Sequence, residues 1–226
     1  MKPDGANASD PPDACTRLDR ESIDAIIGGA DCVVIDFYGT LCSDPFWRPL
    51  GERALATIYQ TLWLGDQALL NSWMSGQASA AEVCRRLSAP LGMPAGAVEE
   101  ALRESCRAFV FNDAVWKFAQ AARGAGKRTA LVTVNMDVFS EEVAGSHHLD
   151  RVFETIVNSA DHGHLDKRRL WPIAFQALAG DIGYANSFLI EDGDEGSAKF
   201  RAAGGGAYQY TDDEAFRTWI GGRRRG

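Results

Sequence analysis

The sequence lacks a run of apolar residues long enough to cross a bilayer, about 18, so no membrane span is expected. It also lacks a surplus of positive charge: 23 Lys and Arg stand against 31 Asp and Glu, a net charge of -8. Binding along a nucleic-acid backbone needs a basic footprint, so nucleic acid is set aside as a partner. Cysteine is sparse. The five residues (Cys15, Cys32, Cys42, Cys84, Cys106) form no CxxC pair, and their odd number and scattered spacing suit neither a disulfide framework nor a zinc site. Positions 1–14 hold Pro, Asp, Ser and Asn with no apolar segment, so no secretory signal is expected, and reduced thiols in a cytoplasmic protein are the default. No internal repeat is visible.

What is present is an ordinary globular composition, 46% hydrophobic and 24% charged, in 226 residues. That length suits one large domain, or one domain carrying an insertion, with a sizeable core. Residues 1–17 read as a disordered tail, and Arg223-Arg224-Arg225 as a solubilising one. A helix is expected over 18–27, stopped by Gly28-Gly29. Cys32-Val33-Val34-Ile35 is a short apolar, β-branched run, as in a buried parallel strand. From 44 to 112 the pattern turns wholly helical, with segments over 51–64, 66–75, 79–88 and 95–109 punctuated by Gly76, Pro90, Gly92 and Pro94. Alternation then resumes. Strands are expected over 129–134, 155–157, 187–190 and 207–210, and helices over 115–123, 139–145, 171–178, 198–203 and 213–220. Strict alternation predicts a doubly wound α/β fold with a parallel sheet over 18–43 and 113–226, and an all-helical unit over 44–112.

In such sheets ligands sit at the carboxyl ends of the strands. Asp36 follows the first strand, Thr133 and Asn135 close the second, and Glu191, Asp192 and Asp194 follow the strand at 187–190. Lys167, Arg168 and Arg169 fall in an expected loop before a helix at Trp171. One edge would therefore gather carboxylates, a hydroxyl and cations. Mg²⁺ needs only one or two protein carboxylates together with waters and phosphate oxygens. A carboxylate can also attack phosphorus or carbon, and a lysine can neutralise the charge that develops.

These residues fall into four motifs. Asp36-Phe37-Tyr38-Gly39-Thr40-Leu41 resembles the first motif of the haloacid dehalogenase superfamily, and Leu131-Val132-Thr133-Val134-Asn135 resembles the second. The segment from Leu149 to Asp161 is similar to the one preceding the third. Glu191-Asp192-Gly193-Asp194-Glu195-Gly196, with Ala202-Ala203-Gly204, resembles the fourth as found in β-phosphoglucomutase-like members. The helical unit matches the family's cap domain in place. The resemblance implies a Rossmann-like core and a hydrolase with Asp36 as nucleophile. It implies Mg²⁺ held by Asp36, Asp192 and the Tyr38 carbonyl, with Glu191 assisting through a metal-bound water. It gives Thr133 and Lys167 catalytic roles, and places Tyr38, Thr40, Asn135 and Arg169 around a small-molecule substrate.

Two departures shape the function. Phosphatases of this family carry a second Asp two residues after the nucleophile, a general acid typically worth about 10²–10⁴-fold. Tyr38 occupies that position, and a phenol with a pKa of about 10 is a poor acid catalyst at neutral pH. Dehalogenating members carry Tyr there, yet they bind no metal, whereas Glu191-Asp192 suits Mg²⁺. Without a cation Asp36 and Asp192 would repel each other. Phosphonate-cleaving members use a cap lysine, and this chain has none between Lys2 and Lys117. The third motif also departs: Lys167-Arg168-Arg169-Leu170-Trp171-Pro172 replaces the usual Lys-Pro-x-Pro. Lys167 is the expected residue type and is preferred; Arg169 aligns if Pro172 and Phe175 are the anchors. The preferred function is a phosphatase-type hydrolase of a small phosphorylated metabolite. The alternatives are a carbon-centred hydrolase of the 2-haloacid dehalogenase type and a binding protein that keeps the fold without turnover.

Plainer roles suit several other residues. His147, His148, His162 and His164 crowd a short stretch but sit at turns and loops. Trp47, Tyr59, Trp63, Trp73 and Phe109 read mostly as core or interface, with one or two lining a pocket. Arg48 and Arg53 read as solvated, and Cys42 as packed.

Overall fold

The computed structural model describes residues 18–223. The expected tail over 1–17 and the last three residues lie outside them. The chain opens with α1 (Arg20–Ile27) and β1 (Cys32–Ile35). A helical segment follows: α2 (Glu52–Ile58), a π-helix (Tyr59–Leu64), α3 (Gln67–Met74), α4 (Ala80–Leu91) and α5 (Ala95–Arg107). Next come α6 (Asp113–Gly124), β2 (Arg128–Thr133), a second π-helix (Phe139–Val143), α7 (Ala144–Ser146), β3 (Thr155–Asn158) and α8 (Ser159–His162). The chain ends with α9 (Lys167–Ala177), β4 (Ser187–Glu191), α10 (Asp194–Ala202), β5 (Gly206–Gln209) and α11 (Asp213–Arg223).

The five strands form one parallel sheet in the order β3-β2-β1-β4-β5. The chain builds outward from β1 in one direction and then returns to build in the other. The crevice at the carboxyl ends of β1 and β4 is therefore the topological switch point. Side-chain alternation assigns the two faces. Val33, Ile35, Leu131 and Ile190 pack with α1, α6 and α11, while Cys32, Val34, Val132 and Leu189 pack with α9 and α10. Both faces are covered, which is why the strands read as unbroken apolar runs.

Several helix boundaries differ from expectation, each for a local reason. Helix α4 runs through Pro90 to Leu91 and ends only where Gly92, in the left-handed region, returns its N–H to the Ser88 and Ala89 carbonyls. Helix α9 starts at Lys167, so the basic triplet lies in its first turn and not in a loop; the Asp166 carboxylate caps it by accepting from Arg168 N. Pro172 is accommodated inside that helix, where it removes the donor for the Arg168 carbonyl. Helix α10 starts at Asp194 and so absorbs the acidic end of the fourth motif. The single helix expected over 51–64 is interrupted, its second half forming the π-helix.

The helical segment shares one apolar cluster with the sheet: Trp47, Leu62, Trp73, Val83 and Leu102 join Phe37, Leu41 and Phe139. Polar ties reinforce it. The Asp137 carboxylate accepts from Trp73 Nε1 (2.6 Å) and from Ala80 N (2.9 Å). Arg103 of α5 bridges Glu99, Glu141 and Glu142. Where the segment leaves and rejoins, Asn112 N donates to Leu41 O and its side chain donates to Thr40 O. Gly76 permits the closest approach: it has φ +70°, and a Cβ there would lie 2.1 Å from the Ala160 carbonyl oxygen. Gly76→Ala is expected to destabilise the protein by more than about 2 kcal/mol, read as a lowered urea midpoint at unchanged slope. A wild-type midpoint would show that this contact relaxes freely.

Candidate active site

Asp36 emerges from β1 with its N–H on the Ile190 carbonyl of β4, and its side chain is buried. Lys167, the first residue of α9, reaches across to it. The ammonium lies 3.0 Å from Asp36 Oδ1 and 3.0 Å from Glu191 Oε1, between the ends of β1 and β4. Burial raises the pKa of Asp36, Lys167 opposes the rise, and Asp192 adds to it. Burial also pushes Glu191 up to about 7, again against Lys167. For Lys167 burial works against the charge, but the two carboxylates outweigh it and hold its pKa above the ordinary lysine value. The two buried carboxylates of Asp36 and Glu191 thus share one ammonium, and the charge of Asp192 nearby adds to the repulsion they feel.

Asp192 is exposed at the mouth of this cluster and is placed by Thr40. The Thr40 hydroxyl accepts from Asp192 N (2.9 Å) and lies 3.4 Å from Asp192 Oδ1. Gly39 makes room for that carboxylate: it has φ +84°, and a Cβ there would sit 2.3 Å from Asp192 Oδ2. Thr40 is itself fully buried, so its contact is with the loop of the fourth motif. Thr133, at the end of β2, is buried with its hydroxyl unpartnered, as is Glu191 Oε2. Asn135 is turned inward. Its side-chain oxygen accepts from Met136 N, and its own N–H donates to Ser159 Oγ. Arg169 is exposed on α9, and Lys167 is the basic residue that meets Asp36. Asp194 is exposed in the first turn of α10.

Tyr38 makes its ring contact with the start of the helical segment. Its ring stacks on Phe46 (5.7 Å, 24°), and burial raises its pKa further above the phenol value. The remaining residues weighed in the sequence take structural places. Arg48 pairs with Asp44 and donates to the Ala108 carbonyl. Cys42 is buried, with its thiol pushed up to about 12. His147 Nε2 lies 2.8 Å from the Cys106 carbonyl and its ring packs on Phe111.

A family model described as haloacid dehalogenase-like hydrolase matches residues 33–195, more than half of the chain. The chain belongs to that family. Its fold is that of solved members. A HAD family enzyme from Bacteroides thetaiotaomicron, solved with magnesium and inorganic phosphate, superposes with a TM-score of 0.60 at 14% identity, covering 80% of this chain and 94% of that one. A predicted HAD-like family hydrolase from Porphyromonas gingivalis gives 0.59 at 16% identity, covering 79% and 90%. The L-2-haloacid dehalogenase of Xanthobacter autotrophicus, with chloropropionic acid covalently bound, gives 0.55 at 16% identity, covering 79% and 76%. Comparison of sequence alone with curated proteins brings up no match.

Sequence reasoning missed the contacts that hold the Thr133–Asn135 loop in place. Ser159 Oγ accepts from Asn135 N and is 2.6 Å from the Met74 carbonyl, linking the second motif to α3. Asp137, two residues beyond Asn135, anchors the same loop to Trp73 and Ala80. Asp137 carries no local mark, and Ser159, though inside the segment that resembles the one before the third motif, gave no sign of this contact, because their partners are distant in sequence. Asp166 is more legible, as a capping residue one position before Lys167. Asp166→Ala is expected to cost about 1 kcal/mol in chemical denaturation at neutral pH. Its pairing with Arg168 depresses the Asp166 pKa to about 2. A depressed carboxylate stabilises the fold above its ordinary pKa and loses that effect as pH falls toward the depressed value. The gap between variant and wild type should therefore shrink below about pH 4; a gap independent of pH would exclude the charged cap.

Proposed function

We propose that this hydrolase is phosphatase-type, acting through Asp36 with Mg²⁺ on a small phosphorylated metabolite. The observation that carries the reading is the buried Asp36–Lys167–Glu191 cluster at the switch point, with Asp192 held beside it by Thr40. Among the described residues no three His, Cys, Asp or Glu side chains are grouped as a ready metal site. Mg²⁺ does not require one, since it keeps waters and takes phosphate oxygens. Asp36, Asp192 and the Tyr38 carbonyl make a donor set of the right hardness. The surplus of carboxylate over ammonium, and the unpartnered Glu191 Oε2, fit a missing positive charge. When bound, Mg²⁺ supplies charge stabilisation to the transferring phosphoryl group.

The side chains then divide the work. Asp36 attacks phosphorus, and the bond to the leaving oxygen breaks. Water later releases phosphate and regenerates the carboxylate. Lys167 opposes the rise that burial imposes on the Asp36 pKa and balances charge on the equatorial oxygens. The free Thr133 hydroxyl donates to one of those oxygens. Tyr38 supplies no acid, so the leaving group departs as an anion. Residues 44–112 act as a cap that excludes water and selects the substrate.

The test is hydrolysis of p-nitrophenyl phosphate with and without Mg²⁺. Turnover should require the metal and fall at least about 10³-fold in Asp36→Asn, which should remain folded. Tyr38→Asp restores a carboxyl at the acid position and should raise turnover of alkyl phosphates relative to the nitrophenyl ester, by up to about 10²-fold. A second reading, a carbon-centred hydrolase of the 2-haloacid dehalogenase type, is favoured by Tyr38 itself, since a halide needs no proton. It predicts release of halide from 2-haloacids, insensitive to EDTA, and no phosphatase activity.

A further inference from the structure

A cavity of about 320 Å³ opens within the helical segment, beside the nucleophile loop. Five aromatic residues, Tyr38, Phe46, Trp47, Tyr59 and Trp63, line it together with aliphatic neighbours such as Ile58. No charged side chain contributes to the lining. The rings are ordered against one another: Tyr38 stacks on Phe46, Tyr59 stacks on Trp63 (6.4 Å, 14°), and Trp63 meets Trp47 edge-on (6.5 Å, 88°). Within the cavity wall, the indole N–H of Trp47 is committed to the Val98 carbonyl. Tyr38 and Tyr59 remain 44% and 51% exposed, so these rings are surface of the cavity and not core filler. Tyr59 and Trp63 also sit on the π-helix, a local irregularity that is frequent at functional sites. Tyr38 joins the two regions, because its backbone follows Asp36 by two residues while its ring forms cavity wall.

We propose that this cavity binds the leaving group, and that the substrate is the phosphate monoester of a phenol. The inference rests on the phosphatase reading and names its substrate class. Two unrelated observations converge on it. The position for a general acid holds Tyr38, so the leaving oxygen must depart unprotonated. A phenol, with a pKa of about 10, does so far more readily than an aliphatic alcohol, whose acidity is close to that of water at roughly 16. The cavity, independently, offers aromatic faces and no charged group to meet the hydroxyls of a sugar or polyol. One or two fused rings fit within its volume. Asp36 Oδ forms the bond to phosphorus as the P–O(aryl) bond breaks. The electron pair leaves on the aryl oxide, which takes its proton from solvent. Water then cleaves the aspartyl phosphate, returning inorganic phosphate and Asp36.

The experiment uses the full chain with Mg²⁺ and three substrates: 1-naphthyl phosphate, glycerol phosphate, and acetyl phosphate as a small acyl phosphate with a good leaving group. It adds calorimetric titration with 1-naphthol. Acetyl and naphthyl phosphate should both turn over and glycerol phosphate should lag by at least about 10²-fold, with KM for the naphthyl ester tenfold or more below that for acetyl phosphate. Trp63→Ala should raise the naphthyl KM about tenfold and weaken 1-naphthol binding to match. Tyr59→Ala, at a half-exposed position that tolerates truncation, should do the same. Turnover of acetyl phosphate with no preference in KM for the naphthyl ester, and no effect of either substitution, would overturn the aryl assignment and leave the phosphatase reading standing. Absence of turnover on all three phosphates by folded protein would bring down the phosphatase reading and this proposal with it.

Discussion

The ammonium of Lys167, buried between Asp36 and Glu191, is the interaction around which the site is organised. Two carboxylates at the adjoining ends of β1 and β4 could not both stay charged away from water without it. Its position is set by events far from the chemistry. Asp166 caps α9, α9 packs through Leu170, Trp171 and Ala174 on the sheet, and the first residue of that helix is thereby aimed at the switch point. Changing the ammonium would disturb the ionisation of both acids together, since each is raised by burial and restrained by the same cation.

Around that centre the loops are fixed by contacts reaching across the whole chain. Thr40 holds Asp192, Ser159 holds the Thr133–Asn135 loop, and Asp137 links that loop to the helical segment. The helical segment is thus tied to the strand ends by part-buried hydrogen bonds as well as apolar packing, while Arg103 and its glutamates add a more exposed link. Such exposed ion pairs contribute little individually, typically about 0–1 kcal/mol. The part-buried bonds to Asp137 matter more, because losing the carboxylate would strand the buried Trp73 Nε1 and Ala80 N.

The sheet was legible because its strands are buried on both faces and so read as short, dense apolar runs such as Cys32-Val33-Val34-Ile35. The motif residues were legible because they directly follow those runs, and a parallel sheet carries such positions to one edge. Helix ends were less so. Pro90 and Pro172 suggested boundaries that the capped helices pass through, because packing of an amphipathic face can outweigh one missing hydrogen bond. The choice between Lys167 and Arg169 turned on which residue faces Asp36, a matter of helix phase that spacing alone left open.

The sequence by itself determined the alternating parallel architecture and the family, since each depends on local pattern or residue identity. Only the tertiary structure decided that Lys167 is the shared counter-ion, that Thr40 serves Asp192, that Asp137 and Ser159 brace the second motif, and that Tyr38 faces an aromatic cavity built partly by a π-helix. The physical reason is the same in each case. These contacts join residues far apart in the chain, and their geometry exists only once the helices have packed on the sheet.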